Sequence, residues 1–299
     1  MKLIYFQKAP NFGDALNPFI FSKYFSGFFD EDETEILLGI GSILHLEFPE
    51  ETKKTVFSTG YAFYGNLPVI DKNYHFSCVR GPLTAQALKI NPKLAITDGA
   101  ALLRDFNFPE VEKKFEYSFI PHHASLFFND WERICMEAGY HYIDPLSNYE
   151  EILSQILASK TVIAEAMHGA IVADTLRVPW IPVKLYPTIN EFKWRDWTAS
   201  MSIKYEPHIL PSIYSSKMID QKVAAKFRMS EDVFYVKSIS NIYKSYQNYF
   251  LNKDVLRRFS DLKNKKTFLS KEQLLDSKVE QLLEKIEGIK KTHQTLYKY

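Results

Sequence analysis

Cysteine is scarce in this chain, with two among 299 residues. Cys78 and Cys135 stand far apart in apolar or helical surroundings, which excludes a disulfide framework and fits buried, reduced thiols. Long apolar runs are missing too. No stretch of 18 apolar residues occurs, so no spanning helix is expected, and the opening residues MKLIYFQ are too short for a signal peptide. The expected location is cytoplasmic, with any membrane association peripheral at the inner face. Excess charge is also absent: a formal net charge of +1 gives no reason to expect a nucleic-acid partner. Metal-ligand spacing is missing as well. His122 and His123 are adjacent, and neighbours on a strand point to opposite faces, so no metal is expected.

What is present belongs to an ordinary globular protein. Hydrophobic residues make up 46% and charged residues 24%, and 299 residues suffice for two domains with their own cores. The 18 Tyr and 23 Phe either fill those cores or face carbohydrate. Charge is unevenly spread: residues 251–299 hold 12 Lys or Arg against 7 Asp or Glu, so the tail is the basic part.

The organising stretch is Thr161 to Lys184, TVIAEAMHGAIVADTLRVPWIPVK. A β-prone run, a small-residue helix ended by Pro179 and a second apolar run make one βαβ unit. Its turn, Glu165 to Gly169, sits at a strand's carboxyl end and a helix's amino end, where open α/β sheets bind ligands and exposed N–H groups attract anions. An anionic ligand is expected there.

The same grammar runs through the rest. Lys2 to Phe6 reads as a strand, followed by the loop Gln7 to Leu16 and a helix over Ala15 to Tyr24; Asp14 is either its N-cap or a ligand-facing loop residue. Glu35 to Leu44 reads as a strand ending in Gly39-Ile40-Gly41-Ser42, and another strand falls in Lys54 to Gly65. His75 to Arg80 ends in a lone arginine before Gly81-Pro82 opens a helix. Arg80 is then either a surface residue paired with a carboxylate or an anion clamp at the domain mouth. Leu94 to Leu103 is read as a strand closing the first domain, and the charged segment Arg104 to Lys114 as the linker.

A second series starts at Phe115, with His122 and His123 at its first strand end; either one of the pair hydrogen-bonds a substrate phosphate or hydroxyl, while the other packs or is solvated. Helix Asp130 to Ala138, strand Tyr140 to Ile143 and helix Asn148 to Ala158 lead to the central unit. Beyond it, Lys193, Trp194, Arg195 and Trp197 interleave cations and aromatics, suited to a phosphorylated or sugar ligand or to packing. From Ser215 the chain reads as helices, and Leu275, Val279, Leu282, Ile286 and Ile289 form a stripe suited to the body, a partner helix or a membrane.

Taken in order, Asn11-Phe12-Gly13-Asp14, Gly39-Ile40-Gly41-Ser42, Val79-Arg80-Gly81, Asp98-Gly99-Ala100-Ala101-Leu102 and Met167-His168-Gly169-Ala170 resemble the polysaccharide pyruvyl transferase family, over roughly Lys2 to Trp197 and closest to its succinoglycan-type ketal transferases. The resemblance implies a GT-B-like α/β fold, two Rossmann-like domains facing across a cleft. Residues 1–108 are the acceptor side, 115–214 the donor side and 215–299 a helical extension. It also implies transfer from phosphoenolpyruvate, as donor substrate and without a cofactor, onto two hydroxyls of a sugar in a polysaccharide or oligosaccharide precursor.

Carried onto this chain, His168, Asp14 and Glu165 are the expected catalytic residues. Arg80, His168, Gly169, Lys193 and Arg195 are the donor-binding residues, and Asn11, Gly41, Ser42, His122 and Trp194 the acceptor-binding ones. One departure stands out: the family often has Arg-Leu-His-Gly where this chain has Ala166-Met167-His168-Gly169. Lys193, Arg195 or Lys184 would then supply the charge. Two rivals share the same features: a GT-B glycosyltransferase using a nucleotide sugar, and a non-catalytic assembly or sugar-binding protein. A lipid-linked acceptor, peripheral membrane contact through the basic C-terminal helices and a homo-oligomer complete the expectations for partners.

Overall fold

The computed structural model describes residues 1–8, 10–63 and 65–296, with side chains to residue 293. Positions 9, 64 and 297–299, which the loop, strand and tail readings above include, lie outside the described residues. Among the described residues the chain builds two parallel sheets. In the first, β1 (Lys2–Ile4), β2 (Glu35–Leu38), β3 (Lys53–Phe57) and β4 (Tyr74–Cys78) lie side by side in chain order. All of β2 and most of β3 are buried, as expected of parallel strands covered on both faces. Helix α1 (Phe12–Tyr24) covers this sheet through Leu16, Ile20 and Phe21, and α2 (Pro82–Leu88) begins with Pro at its first position.

The second sheet has β5 (Phe115–Ile120), β6 (His141–Tyr142), β7 (Ser159–Ala164), β8 (Trp180–Lys184) and β9 (His208–Ile209), ordered β6-β5-β7-β8-β9 and wholly parallel. Helices α3 (Trp131–Ala138), α4 (Tyr149–Leu157), α5 (Met167–Thr175) and α6 (Glu191–Ser200) connect and follow these strands. The chain moves outward from β5 to β6 and then reverses to β7, so the switch of direction falls between β5 and β7. In such sheets a crevice opens at that point beyond the carboxyl ends of the strands.

Three expectations about local structure change. Leu94 to Leu103 is not a strand: 3-10 turns occupy Pro92–Leu94 and Gly99–Asp105, and only Ala95 makes a lone bridge to Val79. Asn91 and Asp98 cap those turns by accepting from Lys93 N and Ala100 N, a local alternative that outcompetes ladder pairing. The strand read as Glu35 to Leu44 stops at Leu38, because Asn17 Oδ1 accepts from Ile40 N and turns the chain away. Helix α1 starts at Phe12 rather than Ala15, with Asn11 as its N-cap, which leaves Asp14 in the first turn.

The C-terminal helices are α7 (Ser216–Phe227), α8 (Phe234–Tyr246), α9 (Asn252–Ser260) and α10 (Glu272–Leu296). The apolar stripe of α10 is spent on the body. Leu275, Val279, Leu282, Ile286 and Ile289 are buried in the largest core cluster, beside residues of α1, α5 and the 99–105 turn. Arg104 also pairs with Glu272 and Asp276 at 2.5 and 3.0 Å. No helix among the described residues is long and apolar enough to cross a membrane. Leu282→Ala should therefore lower unfolding stability by about 2–5 kcal/mol in urea denaturation, as for any fully buried leucine. An unchanged midpoint would mean that α10 is not part of the core.

Candidate functional site

A cavity of about 320 Å³ opens where the two sheets meet. Its walls come from carboxyl-end segments. Asn11 to Asp14 follow β1, Gly41 to Ile43 follow β2, His122 and His123 follow β5, Ala166 to His168 follow β7, and Asn190, Lys193 and Trp194 follow β8. The first sheet thus supplies half of a site whose other half lies at the switch point of the second.

His168 enters because α5 starts there. Ala166, the residue before the helix, makes no side-chain cap, so the first-turn N–H groups have no capping side chain. The ring lies against α1 so closely that a Cβ on Gly13 would fall 1.8 Å from His168 Nδ1, which only glycine permits. Its Nε2 faces Asp98 Oδ2 at 3.6 Å, and neither buried atom has a hydrogen bond. Burial opposes the charge on Asp98, but attraction to His168, with help from Arg80 and the Ala100 N–H, holds its carboxyl below the usual range.

Asp14 is held differently. Burial pushes its carboxyl up to about 6, against the pull of His168 and Lys193. Its Oδ1 would be 2.7 Å from a Cβ at Gly41, a residue with φ of +132° that glycine adopts without strain. Asn17 fixes the frame between them by donating to Asp14 O and Ile40 O, each at 3.0 Å. Burial, then His123 and Lys193, bring His122 down to about 3, so its ring is neutral. Its Nδ1 accepts from Ala124 N, which assigns the proton to Nε2 as a donor. Trp194 is packed by Trp180 and stacks on Tyr205 with ring centroids 5.1 Å apart, and part of it reaches the wall.

Other expected residues stand behind the wall. Arg80 is fully buried rather than at the mouth. Its Nε donates to Asp196 Oδ2 at 3.0 Å, Nη1 to Ser42 Oγ at 3.0 Å and Nη2 to Tyr61 O at 2.9 Å. Asp196, on α6, also accepts from Thr84 N and Oγ1. Arg80 therefore holds Ser42 and α6 in place. Glu165 is also fully buried, accepting from His122 N at 3.0 Å and Leu185 N at 3.1 Å, and burial pushes it up to about 7. Gly169 packs on Ile120. Arg195 and Lys184 both pair with Glu191, so of the three cations proposed to replace the family arginine only Lys193 reaches the cavity.

Asp98, His45, Thr188 and Asn190 were not expected at the site. Asn190 and Asp98 carried a signal, since each follows a strand-like run as a cap residue; His45 and Thr188 carried none.

This geometry defines a parallel α/β protein with its ligand crevice at a topological switch point. Residues 69–185 match the family model described as polysaccharide pyruvyl transferase. Among curated proteins, the succinoglycan biosynthesis protein ExoV of Rhizobium meliloti (strain 1021) is 37% identical over 205 residues, 67% of this chain and 65% of that protein. The chain thus spans just under two thirds of that relative's length, and its similarity to the polysaccharide pyruvyl transferase family rests on these two matches.

A carboxyl whose folded pKa lies above its ordinary 3.8 binds its proton more tightly in the native state, so Asp14 makes stability fall as pH rises from 3.8 to about 6. Asp14→Asn should consequently be more stable than the parent at neutral pH, by on the order of 2 kcal/mol, with the gain vanishing near pH 4. Denaturation across that range checks it; a constant difference would place the cause outside Asp14 ionisation.

Proposed function

We propose that this protein is a ketal pyruvyl transferase that moves the enolpyruvyl carbons of phosphoenolpyruvate onto two hydroxyls of one sugar in an exopolysaccharide precursor. The observation that carries the reading is the meeting of His168, Asp14 and Lys193 on one cavity in a chain similar to this family. The relative's name, a succinoglycan biosynthesis protein, supports an exopolysaccharide acceptor. Residues 1–108 and 115–214 are the two Rossmann-like domains of a GT-B-like arrangement, acceptor side and donor side, facing across a cleft, with 215–299 as helical extension. We place the reaction in the cytoplasm.

The donor is a small body carrying a carboxylate and a phosphate, so its site needs cations and aligned N–H groups. Lys193 and the uncapped first turn of α5 offer both on one wall. In the reaction, the donor's methylene carbon takes a proton and a sugar hydroxyl attacks the adjacent carbon. The C–O bond to phosphate then breaks, and a second hydroxyl closes the ketal. Two hydroxyl protons are lost, one balanced by the new methyl C–H and one leaving with phosphate. Asp14, with a carboxyl near 6, suits the base that takes a hydroxyl proton at neutral pH. His168 binds the phosphate and passes it a proton, with Asp98 orienting the ring. Asn11, Ser42 and His122 line the acceptor part, and Arg80 serves the donor through the position of α6 and Lys193.

Phosphoenolpyruvate should raise the melting temperature of the purified protein well above a phosphate control, by mass action on the native state. Lys193→Ala and His168→Ala should lose that shift while keeping the fold. A shift with a nucleotide sugar and none with phosphoenolpyruvate would make the protein a GT-B glycosyltransferase instead. Asp98→Asn should keep donor binding within a few fold yet slow turnover by roughly 10²–10⁴, as expected when a proton-moving group loses its partner. Full turnover in that variant would leave Asp98 a capping residue.

A further inference from the structure

Residues 234–260 form one continuous helical rod: α8, a π-helical turn at Gln247–Leu251, and α9. Val236, Ser240, Gln247, Val255 and Phe259 face the body and are buried. On another side, Tyr235, Ile242, Tyr246 and Tyr249 recur at spacings of seven, four and three, which makes a single stripe. Phe234 and Phe250 flank it. These are open to solvent: Phe234 is 85% exposed, Ile242 69%, Tyr249 75% and Phe250 66%. A contiguous apolar face of this kind marks an interaction surface.

The segment that carries it has a basic surplus. Residues 216–258 hold nine Lys or Arg against four Asp or Glu. Three of the four acids are already satisfied locally: Asp220 by Lys244, Asp232 by Lys237, and Asp254 by Arg257 and Arg258. Lys253 and Arg257 continue the aromatic stripe in four-residue steps past Tyr249.

We propose that this face docks the protein on an anionic lipid surface, with the rings in the headgroup layer and the cations against the phosphates. Two features favour lipid over a second copy of the chain. The stripe is mostly tyrosine, with an apolar body and a polar tip suited to a bilayer interface, and it lacks the leucines that knobs-into-holes pairing uses. A symmetric dimer on this face would also bring two basic surpluses together, whereas anionic headgroups complement them. The surface is separate from the cavity chemistry, so it stands or falls independently of the proposed reaction.

The test is co-sedimentation of the full chain with phosphatidylcholine vesicles and with vesicles of phosphatidylcholine mixed with phosphatidylglycerol. The protein should pellet with the mixed vesicles and stay largely soluble with phosphatidylcholine alone. Lys253→Gln with Arg257→Gln should weaken partitioning roughly tenfold or more, since each cation near an anionic surface contributes about fivefold. Tyr235→Ser, Ile242→Ser, Tyr246→Ser and Tyr249→Ser together should abolish the binding that survives raised salt, with the protein still folded because all four side chains are at least half exposed. If that combined variant does not fold, Tyr249→Ser alone gives the same reading at reduced size. Failure of the parent protein to pellet, or equal pelleting of the folded ring variant, overturns the proposal. So does a dimer in sedimentation velocity that the ring substitutions dissociate, which would assign the face to a second copy.

Discussion

The buried ion pair between Arg80 and Asp196 is the contact on which the site depends. The two residues are 116 positions apart, one after β4 and the other on α6, and both are fully buried. Removing two charges from water is costly, and the arrangement is tenable because both groups are hydrogen-bonded to several partners as well as to each other. The guanidinium reaches Asp196, Ser42 and Tyr61, while the carboxylate also takes both the N–H and hydroxyl of Thr84. Losing either partner leaves a buried charge without its complement, which costs about 3–5 kcal/mol in comparable cases. The pair joins the end of the first sheet to the helix that carries Lys193 and Trp194, and so holds two walls of the cavity at a set distance.

Within that frame, three acid–base groups are driven apart by their surroundings. Burial raises Asp14, the His168 ring offsets burial at Asp98 and lowers it, and burial keeps His122 neutral. Of the three, only Asp14 is moved towards neutral pH, where a group can both take and release a proton. Glu165 shows that the same shift has another use. It is raised to about 7, yet both oxygens are committed to backbone N–H groups that clamp the ends of β5 and β8 together. A raised carboxyl behind the wall braces the switch point, whereas one on the wall is available to a ligand.

The last third of the chain divides its labour by the same logic. The apolar stripe of α10 is consumed by the core, and its end is held by Arg104, so that helix works as part of the scaffold. The aromatic stripe of α8 and α9 is left outside. Two amphipathic patterns of similar appearance therefore have opposite fates, and hydrophobic spacing carries no information about which face meets a neighbour.

Much was legible from residues alone. Short apolar runs separated by caps, glycines and prolines announce a parallel α/β chain, and the Glu165 to Gly169 turn announces its own position at a strand end, because local propensity and periodicity act within a few residues. The loops at Asn11 and Ser42 could be nominated on the same ground, and the family resemblance added the roles of His168, Asp14 and Lys193. The tertiary structure decided what those residues face. Sequence could not say that Arg80 meets Asp196 instead of a ligand, that Asp98 lies 3.6 Å from His168, or that Arg195 and Lys184 share Glu191. Nor could it foresee that Leu94 to Leu103 would cap itself into turns. Each of these outcomes, the last aside, rests on groups brought together by packing, and burial and pairing are properties of the folded assembly that no local stretch contains.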